Sequence, residues 1–549
     1  MKKEILKQVL INATQYNGKA NVGAVVGKII AEDPKAKKKI KKIIPEIKKT
    51  VKEVNSWSLQ KQKKELSKFK IRKKPKKKEK IGIPDLRNAK KGKVVTVFPP
   101  EPSKYPHLGH AKAAFINYMY AKKYKGKFIL RFEDTNSEKC EKKYYDAIIN
   151  GLKWLGIKWN KIHYVSDYMK KYYQATEKLI KKDKAYVCKC KQDKIKKCRR
   201  NKICCKCRSN SIQENLKLWK KMLSKKSKPG EFCVRLKISM THKNAAMRDP
   251  AVMRIIDKKH PRLGKKYHVY PMYDFATSLM DGIEKITHRI RSKEFEMRKD
   301  IQKFIQKNLG IKSPVVNEIA RFNLKGVPSS GRLIREMIKT KKLKGWDDPK
   351  LTTLLALKRR GFLPDALKEF LIATGISKTE SVLTWDMLET FNRKFVDKKA
   401  NRYFAVIDPI QIKIKNSPKI KIAKENLHPD FPKRGKRTIP VNLDKIYICK
   451  QDFKNYKNKK VRLLGLFNIK LNKISEFCGN EIVKNMPKIQ WVSEKNVKLT
   501  IVMPDKQIKA IGEPNIKKLK IDDIIQLMRI GFCRIDEKKP KIVLYFTHK

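Results

Sequence analysis

The feature that most constrains the fold lies between Lys93 and Asn136. KVVTVF is a short β-branched strand, a Pro-rich turn follows, GHAKAAFINYMYAKKY has the apolar spacing of a helix, and KFILRFED is a second strand. This order is typical of a parallel α/β unit. The carboxyl end of the first strand then meets the amino end of a helix, which is where such sheets bind phosphates.

Two histidines, His107 and His110, flank Gly109 at this junction. Imidazoles placed there can donate to the oxygens of a triphosphate as charge develops during attack on its α-phosphorus. Gly109 has no β-carbon, so an adenine ring can lie directly on its backbone. The alternative is a pair of ordinary loop histidines, but the strand before them and the helix after them favour ATP activation.

The charge of the chain points to a polyanionic partner. Lys and Arg number 136 against 52 Asp and Glu in 549 residues, for a net charge of +84. Nucleic acid is the expected partner, although an organism-wide lysine bias would give part of the same excess. No apolar run approaches the ~18 to 20 residues that span a bilayer, so we expect a soluble, unsecreted, cytoplasmic protein that binds no membrane.

A chain of 549 residues is too long for one core, and with the parallel α/β unit this predicts an α/β multidomain protein. Beyond Arg402 the apolar period shifts toward two, which favours an antiparallel, barrel-like β-domain. Its expected segments are a helical N-terminal appendage (1–66), a basic linker (67–90), a Rossmann-type half (91–184), a cysteine-containing insertion (185–265), a second Rossmann-type half (266–331), a helical subdomain (332–400) and a β-barrel region (401–549).

The stretch FPPEPSKYPHLGHAKAAFINYMYAKKYKGKFILRFEDTN resembles the active-site opening of the class I glutamyl- and glutaminyl-tRNA synthetases. KYHVYPMYDFATSLMDGIEKITH, LKGWDDPKLTTLLALKRRGF and HPDFPKRGKRTIP extend the resemblance, and NGKANVGAVVGKIIAEDP is similar to the archaeal glutamyl enzymes. The resemblance implies a class I catalytic domain, an insertion that binds the tRNA acceptor end and an antiparallel β-barrel that binds the anticodon.

The same resemblance implies a reaction and its substrates. ATP, with Mg²⁺, would activate L-glutamate to glutamyl-adenylate, and the 2′-hydroxyl of the terminal adenosine of tRNA(Glu) would accept the glutamyl group. In these families tRNA normally has to be present for activation. Charging of tRNA(Gln) stays open, as do a glutaminyl-tRNA synthetase and a catalytically impaired RNA-binding paralogue. A transferase acting on something other than intact tRNA is disfavoured because the β-region is complete.

The amino-acid pocket is expected around Glu133, Tyr273 and Arg291. By resemblance, Glu133 holds the substrate's α-amino group and Tyr273 meets its side chain. Arg291, in THRIRSKEF, occupies the position where glutamyl enzymes carry arginine and glutaminyl enzymes a small uncharged residue. A guanidinium pairs with a carboxylate and leaves a neutral amide short of a partner, which favours glutamate.

Two positions depart from the family pattern. Val97 stands where an arginine usually precedes the Phe-Pro-Pro turn and grips the substrate carboxylate, so either Arg291 carries more of the recognition or a neighbouring lysine is recruited. In GVPSSGRLIREMI, Ser330 stands where the mobile loop normally has its main lysine, and Arg332 or Arg335 would compensate. The full expected set, with His107, His110 and Arg332 as catalytic residues, is Pro100, His107, Gly109, His110, Ser329, Ser330 and Arg332 for ATP.

The cysteines cluster in the insertion, in VCKCKQDKIKKCRRNKICCKC. Two C-x-C pairs suit tetrahedral coordination of one structural Zn²⁺, although merely buried cysteines are the alternative. The expected ligands are Cys188, Cys190, Cys205 and Cys207. The N-terminal helices are expected to dock another protein or to add a grip on tRNA.

Overall fold

The computed structural model describes residues 2–32, 40–69, 83–322, 324–380 and 382–549. The chain divides into two compact units, residues 1–81 and 82–549. Among the described residues, no helix has the length and apolar character needed to cross a membrane.

The first unit is helical, as its periodicity predicts. Its helices are α1 (Lys2–Gln15), α2 (Val22–Glu32), α3 (Ile40–Asn55) and α4 (Leu59–Ser67). Ile5, Val9 and Ile47 lie in a closed apolar core, and the buried amide of Gln62 donates to Val54 O at 2.7 Å, which ties α4 to the end of α3. That these helices dock another protein stays a prediction.

Most of the expected linker, residues 70–82, lies outside the described residues. The segment that follows residue 82 packs into the second unit and is therefore not a linker. Ile83 and Leu86 are buried against Ile116 and Tyr120 in an apolar cluster of the second unit. Ile83 and Leu86 therefore belong to the core of the second unit.

The first half of the catalytic domain is a three-stranded parallel sheet in the order β1-β2-β3. Its elements are β1 (Val95–Phe98), α5 (Leu108–Lys123), β2 (Lys127–Phe132), α6 (Lys142–Trp154), β3 (Lys161–Tyr164) and α7 (Met169–Lys181). The strands and helices match the expected strand, turn, helix and strand. Phe128, Leu130 and Phe132 on β2 pack into the apolar core with Leu108 of α5.

The insertion is built on a four-stranded antiparallel sheet in the order β4-β5-β6-β7. It comprises β4 (Ala185–Cys188), α8 (Gln192–Asn201), α9 (Ile212–Leu223), β5 (Cys233–Leu236), β6 (Ala251–Ile255) and β7 (Val269–Pro271). The expected boundary at residue 266 places the Tyr- and Val-rich strand β7 in the second Rossmann-type half. It pairs with β6 instead, so the sheet of the insertion extends past residue 265.

The second half adds two parallel strands to the first. It comprises α10 (Tyr273–Ile283), β8 (His288–Ser292), α11 (Lys299–Leu309) and β9 (Val315–Ile319). The N–H of Thr287 donates to Val95 O at 3.1 Å, and Val95 N–H donates to Thr287 Oγ1 at 2.8 Å. These bonds place β8 beside β1 in the order β3-β2-β1-β8-β9, the arrangement of a doubly wound α/β domain.

The helical subdomain consists of α12 (Gly331–Lys339), α13 (Leu354–Arg360), α14 (Pro364–Ala373) and α15 (Trp385–Lys399). Helix α13 contacts two regions. At its amino end, Leu354 N–H donates to Pro106 O at 2.8 Å, beside the histidine turn. At its carboxyl end, the buried guanidinium of Arg360 donates to Thr547 O at 2.6 Å, near the end of the chain. One short helix thus contacts both the histidine turn and the β-region.

The β-region has two seven-stranded sheets, a hairpin and one helix. Its elements are β10 (Asn401–Tyr403), β11 (Ala405–Ile407), β12 (Pro409–Lys415), β13 (Ile422–Asn426), β14 (Lys436–Pro440), β15 (Ile446–Cys449), α16 (Lys450–Tyr456), β16 (Lys460–Leu463), β17 (Asn468–Lys470), β18 (Ile474–Phe477), β19 (Lys488–Ile489), β20 (Trp491–Ser493), β21 (Val497–Val502), β22 (Gln507–Gly512), β23 (Ile524–Leu527), β24 (Gly531–Glu537) and β25 (Ile542–His548).

The sheets of this region run β10-β23-β24-β25-β21-β22-β11 and β19-β16-β17-β18-β12-β15-β20. Most neighbours are antiparallel, as expected, but β10–β23, β12–β18, β16–β19 and β21–β25 are parallel. The buried Glu513 accepts from Arg437 Nε at 3.0 Å and from Phe404 N–H at 2.8 Å. This buried ion pair lies between the apolar cores of the two sheets.

Candidate active site

The two histidines of the turn after β1 orient each other through the backbone. His107 is the N-cap of α5, and its Nδ1 accepts from Gly109 N–H at 3.0 Å. Nδ1 of His110 accepts from His107 N–H at 3.2 Å, and the two ring centroids are 4.1 Å apart. Because each Nδ1 acts as an acceptor, each neutral ring carries its proton on Nε2. The turn therefore presents two Nε2–H donors.

Both rings are held neutral by their surroundings. Burial, followed by the charges of Lys104 and Arg321, lowers the pKa of His107 to about 3. Burial, His107 and Lys104 lower the pKa of His110 well below its usual range. Donation to phosphate by these rings therefore needs no change of protonation near neutral pH.

A cavity of about 330 Å³ opens beside the histidines. Of the residues expected to bind ATP, His107, Gly109, His110 and Ser329 line it. The cavity is bounded further by residues of β8, β9 and the segments after them, among them Ser292, Phe295, Ile319 and Phe322. It lies at the carboxyl ends of the parallel strands, where doubly wound domains bind their ligands.

The other expected ATP contacts lie outside this lining. Pro100 is buried, and its carbonyl oxygen accepts from Glu133 N–H at 3.0 Å, which links the ends of β1 and β2. Ser330 is the exposed N-cap of α12, and Arg332 is exposed on the first turn of that helix. The loop thus offers the cavity Ser329 and its backbone, with the Arg332 side chain elsewhere.

Three cations in the cavity were missed by the sequence analysis: Lys104, Lys112 and Arg321. Lys104 Nζ donates to Ser329 O at 3.4 Å, and Arg321 pairs with Glu294 at 2.9 Å. The sequence did not single them out, because one lysine or arginine does not stand out in a chain with 136 basic residues. The position of Lys104 three residues before His107 was the available clue.

Gly109 permits a close backbone approach. A β-carbon at this position would lie 2.8 Å from Cε1 of His107 and 3.4 Å from Phe322 O. The first distance is below van der Waals contact, so a side chain here would displace the imidazole. The glycine thus keeps the His107 ring in place.

Glu133 lies at the end of β2 in a buried network of charges. Its Oε1 accepts from the hydroxyl of Thr277 at 2.5 Å and lies 3.4 Å from Nη2 of Arg131. Arg131 in turn pairs with Asp281 at 3.1 Å and Glu284 at 2.9 Å. Burial raises the pKa of Glu133 to about 7, although Arg131 opposes that shift. A cationic substrate group beside Glu133 would favour its ionised form.

Arg291, expected to recognise a carboxylate, is buried on β8. Its guanidinium donates to Gln302 Oε1 at 2.7 Å and to Phe295 O at 3.2 Å, both neutral acceptors. Its Nε is buried without a described partner. Burial and the neighbouring Arg289 lower the pKa of Arg291, so two guanidiniums repel each other here. The site therefore favours an added anion.

Arg289 was not identified from the sequence. It is buried two residues before Arg291, on the same face of β8, and donates to Asp281 Oδ2 at 3.3 Å. Its charge opposes the upward shift that burial imposes on the pKa of Tyr273, and the charge of Arg291 acts in the same direction. The alternating arginines of THRIR were the signal for a second guanidinium at the site.

The position of Val97 explains why Arg289 can serve this pocket. Val97 is buried with Ile129 and Ile286 and offers no charge. Ile129, which packs against Val97, lies two residues before Arg131 on the same face of β2, and Arg131 shares the carboxylate of Asp281 with Arg289. Arg289 therefore lies on the same side of the sheet as Val97. A guanidinium missing from β1 is therefore present on the adjacent strand.

The expected metal ligands come together in the insertion. The ligand atoms of Cys188, Cys190, Cys205 and Cys207 all lie within 4.8 Å of one another. Sγ of Cys188 and Sγ of Cys205 are 3.9 Å apart, close to the separation of about 3.8 Å that tetrahedral Zn–S bonds of ~2.3 Å require. The buried Arg235 donates to Sγ of Cys205 at 3.5 Å and can balance thiolate charge. The four cysteines therefore have the donor atoms and the spacing that a tetrahedral zinc site needs.

A second cavity, of about 860 Å³, lies at the opposite edge of the parallel sheet. It is bounded by residues at the amino ends of the strands, including Lys93 before β1 and the first residues of β8 and β9, His288 and Val315. Ligands of doubly wound domains bind at the carboxyl ends of the strands, so this cavity is not the candidate active site.

Comparison with known families decides what kind of enzyme this geometry belongs to. A model of the catalytic domain of class I tRNA synthetases (E and Q) matches residues 93–398. Two models of the anticodon-binding domain of the same group match residues 400–490 and 488–536. The chain belongs to the class I tRNA synthetases of the E and Q family. The fold and family expected from the histidine turn are thereby confirmed.

Relatives within this family align along the full chain. A protein of Pyrococcus furiosus named glutamate–tRNA ligase is 40% identical over 100% of both chains. One of the same name from Nitrosopumilus maritimus is 41% identical over 100% of this chain and 99% of its own. A solved glutamate tRNA ligase from Elizabethkingia meningosepticum aligns with a TM-score of 0.43 and 18% identity over 56% of this chain and 70% of that chain, too remote to carry an argument.

Proposed function

We propose that this protein is a glutamate–tRNA ligase. It activates L-glutamate with ATP and transfers the glutamyl group to the 2′-hydroxyl of the terminal adenosine of tRNA(Glu). The observation that carries the proposal is the pair of buried guanidiniums, Arg289 and Arg291, next to Glu133 and Tyr273 in a chain of this family. The relatives named glutamate–tRNA ligase, aligned from end to end, support the same assignment.

The two guanidiniums favour glutamate over glutamine. The side-chain carboxylate of glutamate would accept from Arg291 and Arg289 and would relieve the repulsion between them. A glutamine amide brings no charge and would leave a buried donor unpaired, which commonly costs 1–3 kcal/mol or more. Glu133 would hold the α-amino group, with Thr277 fixing the orientation of its carboxylate.

In the first step, an α-carboxylate oxygen of glutamate attacks the α-phosphorus of ATP. A new P–O bond forms, the bond from that phosphorus to the bridging oxygen breaks, and pyrophosphate leaves with Mg²⁺, which enters bound to ATP. Nε2–H groups of His107 and His110 would donate to phosphate oxygens as their charge shifts. Phe295 lines the cavity, and its ring centroid lies 5.2 Å from that of Tyr273. The proposed glutamate pocket therefore adjoins the cavity beside the histidines.

In the second step, the 2′-hydroxyl oxygen of the terminal adenosine attacks the acyl carbon. The acyl–phosphate bond breaks, AMP leaves and the hydroxyl proton passes to the solvent or to AMP. Catalysis then consists of positioning and charge stabilisation without a covalent enzyme intermediate.

The basic surface would bind the phosphates of tRNA. A net charge of +84 supports an affinity that falls steeply with salt. The match of residues 400–536 to anticodon-binding domains supports contact between the β-region and the anticodon, whose unpaired bases can be splayed and stacked.

ATP–pyrophosphate exchange tests the assignment. The full chain is assayed with glutamate or glutamine, each with and without tRNA(Glu) and tRNA(Gln). We expect exchange with glutamate in the presence of tRNA(Glu), and the tRNA(Gln) arm reports whether that tRNA is also a substrate. Exchange with glutamine alone would contradict the role of Arg291. Silence under every condition would favour an RNA-binding paralogue.

We also propose one structural Zn²⁺ on Cys188, Cys190, Cys205 and Cys207. When bound, the metal would hold β4 to the segment after α8 and so stabilise the insertion. Metal analysis of the purified protein should give one zinc per chain. The variant C188S/C205S should lose the metal and melt several degrees lower, whereas C204S, at an exposed cysteine outside the set, should keep both. Zinc-free wild-type protein of normal stability would refute this proposal.

A further inference from the structure

We propose that Lys104 is the catalytic cation for the pyrophosphate leaving group, in place of the loop lysine that this chain lacks at position 330. The inference rests on the proposed function and adds a residue to its first step. The family usually carries a lysine where Ser330 stands, and the exposed Arg332 lies outside the lining of the cavity.

Lys104 is positioned between the histidine turn and the loop. It is half-buried and lines the nucleotide cavity with His107, His110 and Ser329. Its Nζ lies 3.4 Å from Ser329 O. A β-carbon on Gly331 would come within 3.0 Å of Lys104 Cδ, so the loop backbone lies against the aliphatic part of this side chain. The ammonium group is thus at the place where the loop meets the cavity.

The charge of Lys104 reaches both histidines, since it lowers the pKa of His107 and of His110. Lys104, His107 and His110 also line the same cavity. A polyphosphate bound there would contact all three. Arg335, by contrast, donates to Ser103 O at 3.0 Å and helps to hold the turn.

The surroundings of Lys104 favour an anion. Burial lowers its pKa, Glu101 opposes that shift, and Arg321 and Arg335 lower the pKa further. Its hydrogen bond to the neutral carbonyl of Ser329 is long, at 3.4 Å, so this bond compensates poorly for the partial desolvation of the ammonium. A phosphate oxygen would supply a charge-assisted bond that replaces the lost hydration.

The chemical role follows from the first step. As the bond between the α-phosphorus and the bridging oxygen breaks, negative charge builds on that oxygen and on the β- and γ-phosphates. The Lys104 ammonium would stabilise this charge by hydrogen bonding and would keep its proton. A preorganised charge of this kind contributes about a hundredfold to the rate.

The test is glutamate-dependent ATP–pyrophosphate exchange with tRNA(Glu), comparing K104A, R332A and K123A with the wild type. Lys123 is a matched control, because its ammonium also donates to a backbone carbonyl, Ile83 O at 2.7 Å, but at the far end of α5. We expect K104A to lower kcat about a hundredfold with a smaller change in the KM for ATP. K123A should stay within about threefold of the wild type.

Two results would overturn the proposal: K104A that keeps its kcat, or R332A that loses more kcat than K104A. Binding of inorganic pyrophosphate, measured by calorimetry on the same variants, separates this inference from the proposed function. If the wild type shows no exchange with any amino acid, the proposed function fails. Even in that case the role of Lys104 can be tested by binding alone. We expect K104A to bind pyrophosphate at least tenfold more weakly than K123A, and equal binding by the two variants would refute the role of Lys104.

Discussion

The proposed nucleotide cavity and the proposed glutamate pocket each lack one basic residue expected from the family resemblance, and each has a cation from a neighbouring segment. In the pocket, Arg289 on β8 lies on the same side of the sheet as Val97 and is bonded to the buried Asp281. In the cavity, Lys104 lies against the loop, and its Nζ donates to Ser329 O at 3.4 Å. Arg289 is thus held by a buried ion pair, whereas Lys104 has only a long hydrogen bond to a loop carbonyl among the contacts described above.

The difference in bonding between Arg289 and Lys104 fits the task that we propose for each region. Selecting glutamate over glutamine needs donors fixed before the substrate arrives, which a buried strand and a carboxylate partner provide. Stabilising a leaving group needs a charge that is strongest in the transition state, and a lysine with weak ground-state bonds can supply it. Changes in the cavity should therefore lower kcat, and changes in the pocket should raise the KM for glutamate.

The largest effect is expected from the histidines. H107A and H110A should each lower kcat for glutamate activation by about 10²- to 10³-fold, because each removes a donor aimed at the phosphates. H110N, which keeps an N–H donor, should recover part of the loss. Steady-state exchange kinetics measure this, with H242A as the control outside the cavity. If H107A or H110A instead raised the KM for glutamate and left kcat unchanged, the assignment of kcat effects to the cavity and of KM effects to the pocket would be wrong.

The next effect concerns Arg289. R289A should raise the KM for glutamate about a hundredfold with a smaller change in kcat, because a buried charge-assisted bond worth ~2–3 kcal/mol is lost. Adding V97R should restore part of the affinity by returning a guanidinium to β1.

The double variant R289A/V97R is the decisive member of this series. V97R alone should be destabilising, since Val97 is packed against Ile129 and Ile286, and thermal melting reports that cost. If R289A/V97R is more stable than R289A but has no higher affinity for glutamate, Arg289 acts in packing rather than in recognition.

The two regions should also differ in pH dependence. Glu133, with a pKa of about 7, must be ionised to hold the α-ammonium group, so kcat/KM for glutamate should fall as pH drops below 7, approaching tenfold per unit. His107, with a pKa of about 3, stays neutral throughout. Between pH 5 and 7, kcat/KM for ATP at saturating glutamate should be nearly flat. Parallel profiles for the two substrates would show that one group controls both.

The smallest effect is expected at Gly109. The added methyl of G109A would approach the His107 ring to within 2.8 Å and displace it, lowering kcat by roughly three- to tenfold. The KM for glutamate should stay unchanged. Equal activity of G109A and the wild type would mean that His107 tolerates displacement.

The histidine turn, the order of its strands and helix, the cysteine pairs and the period-two C-terminal region could all be identified from the sequence. These features are local, because hydrophobic periodicity and capping act within a few residues. Arg291, Glu133 and Tyr273 were singled out by resemblance, since each sits in a recognisable motif. The assignment of β7 was wrong in its partner, because a strand pattern does not specify which sheet it joins.

Only the tertiary structure brought out the two cations that we propose as replacements at these departures. Val97 and Ser330 are visible in the sequence as missing charges, but Arg289 is on a strand far along the chain from Val97, and Lys104 is distant in sequence from the loop it contacts. In a chain with 136 basic residues, no local signal separates these two from the others. Strand register and loop packing decided which positive charges are buried at the site, because burial makes a charge seek a partner.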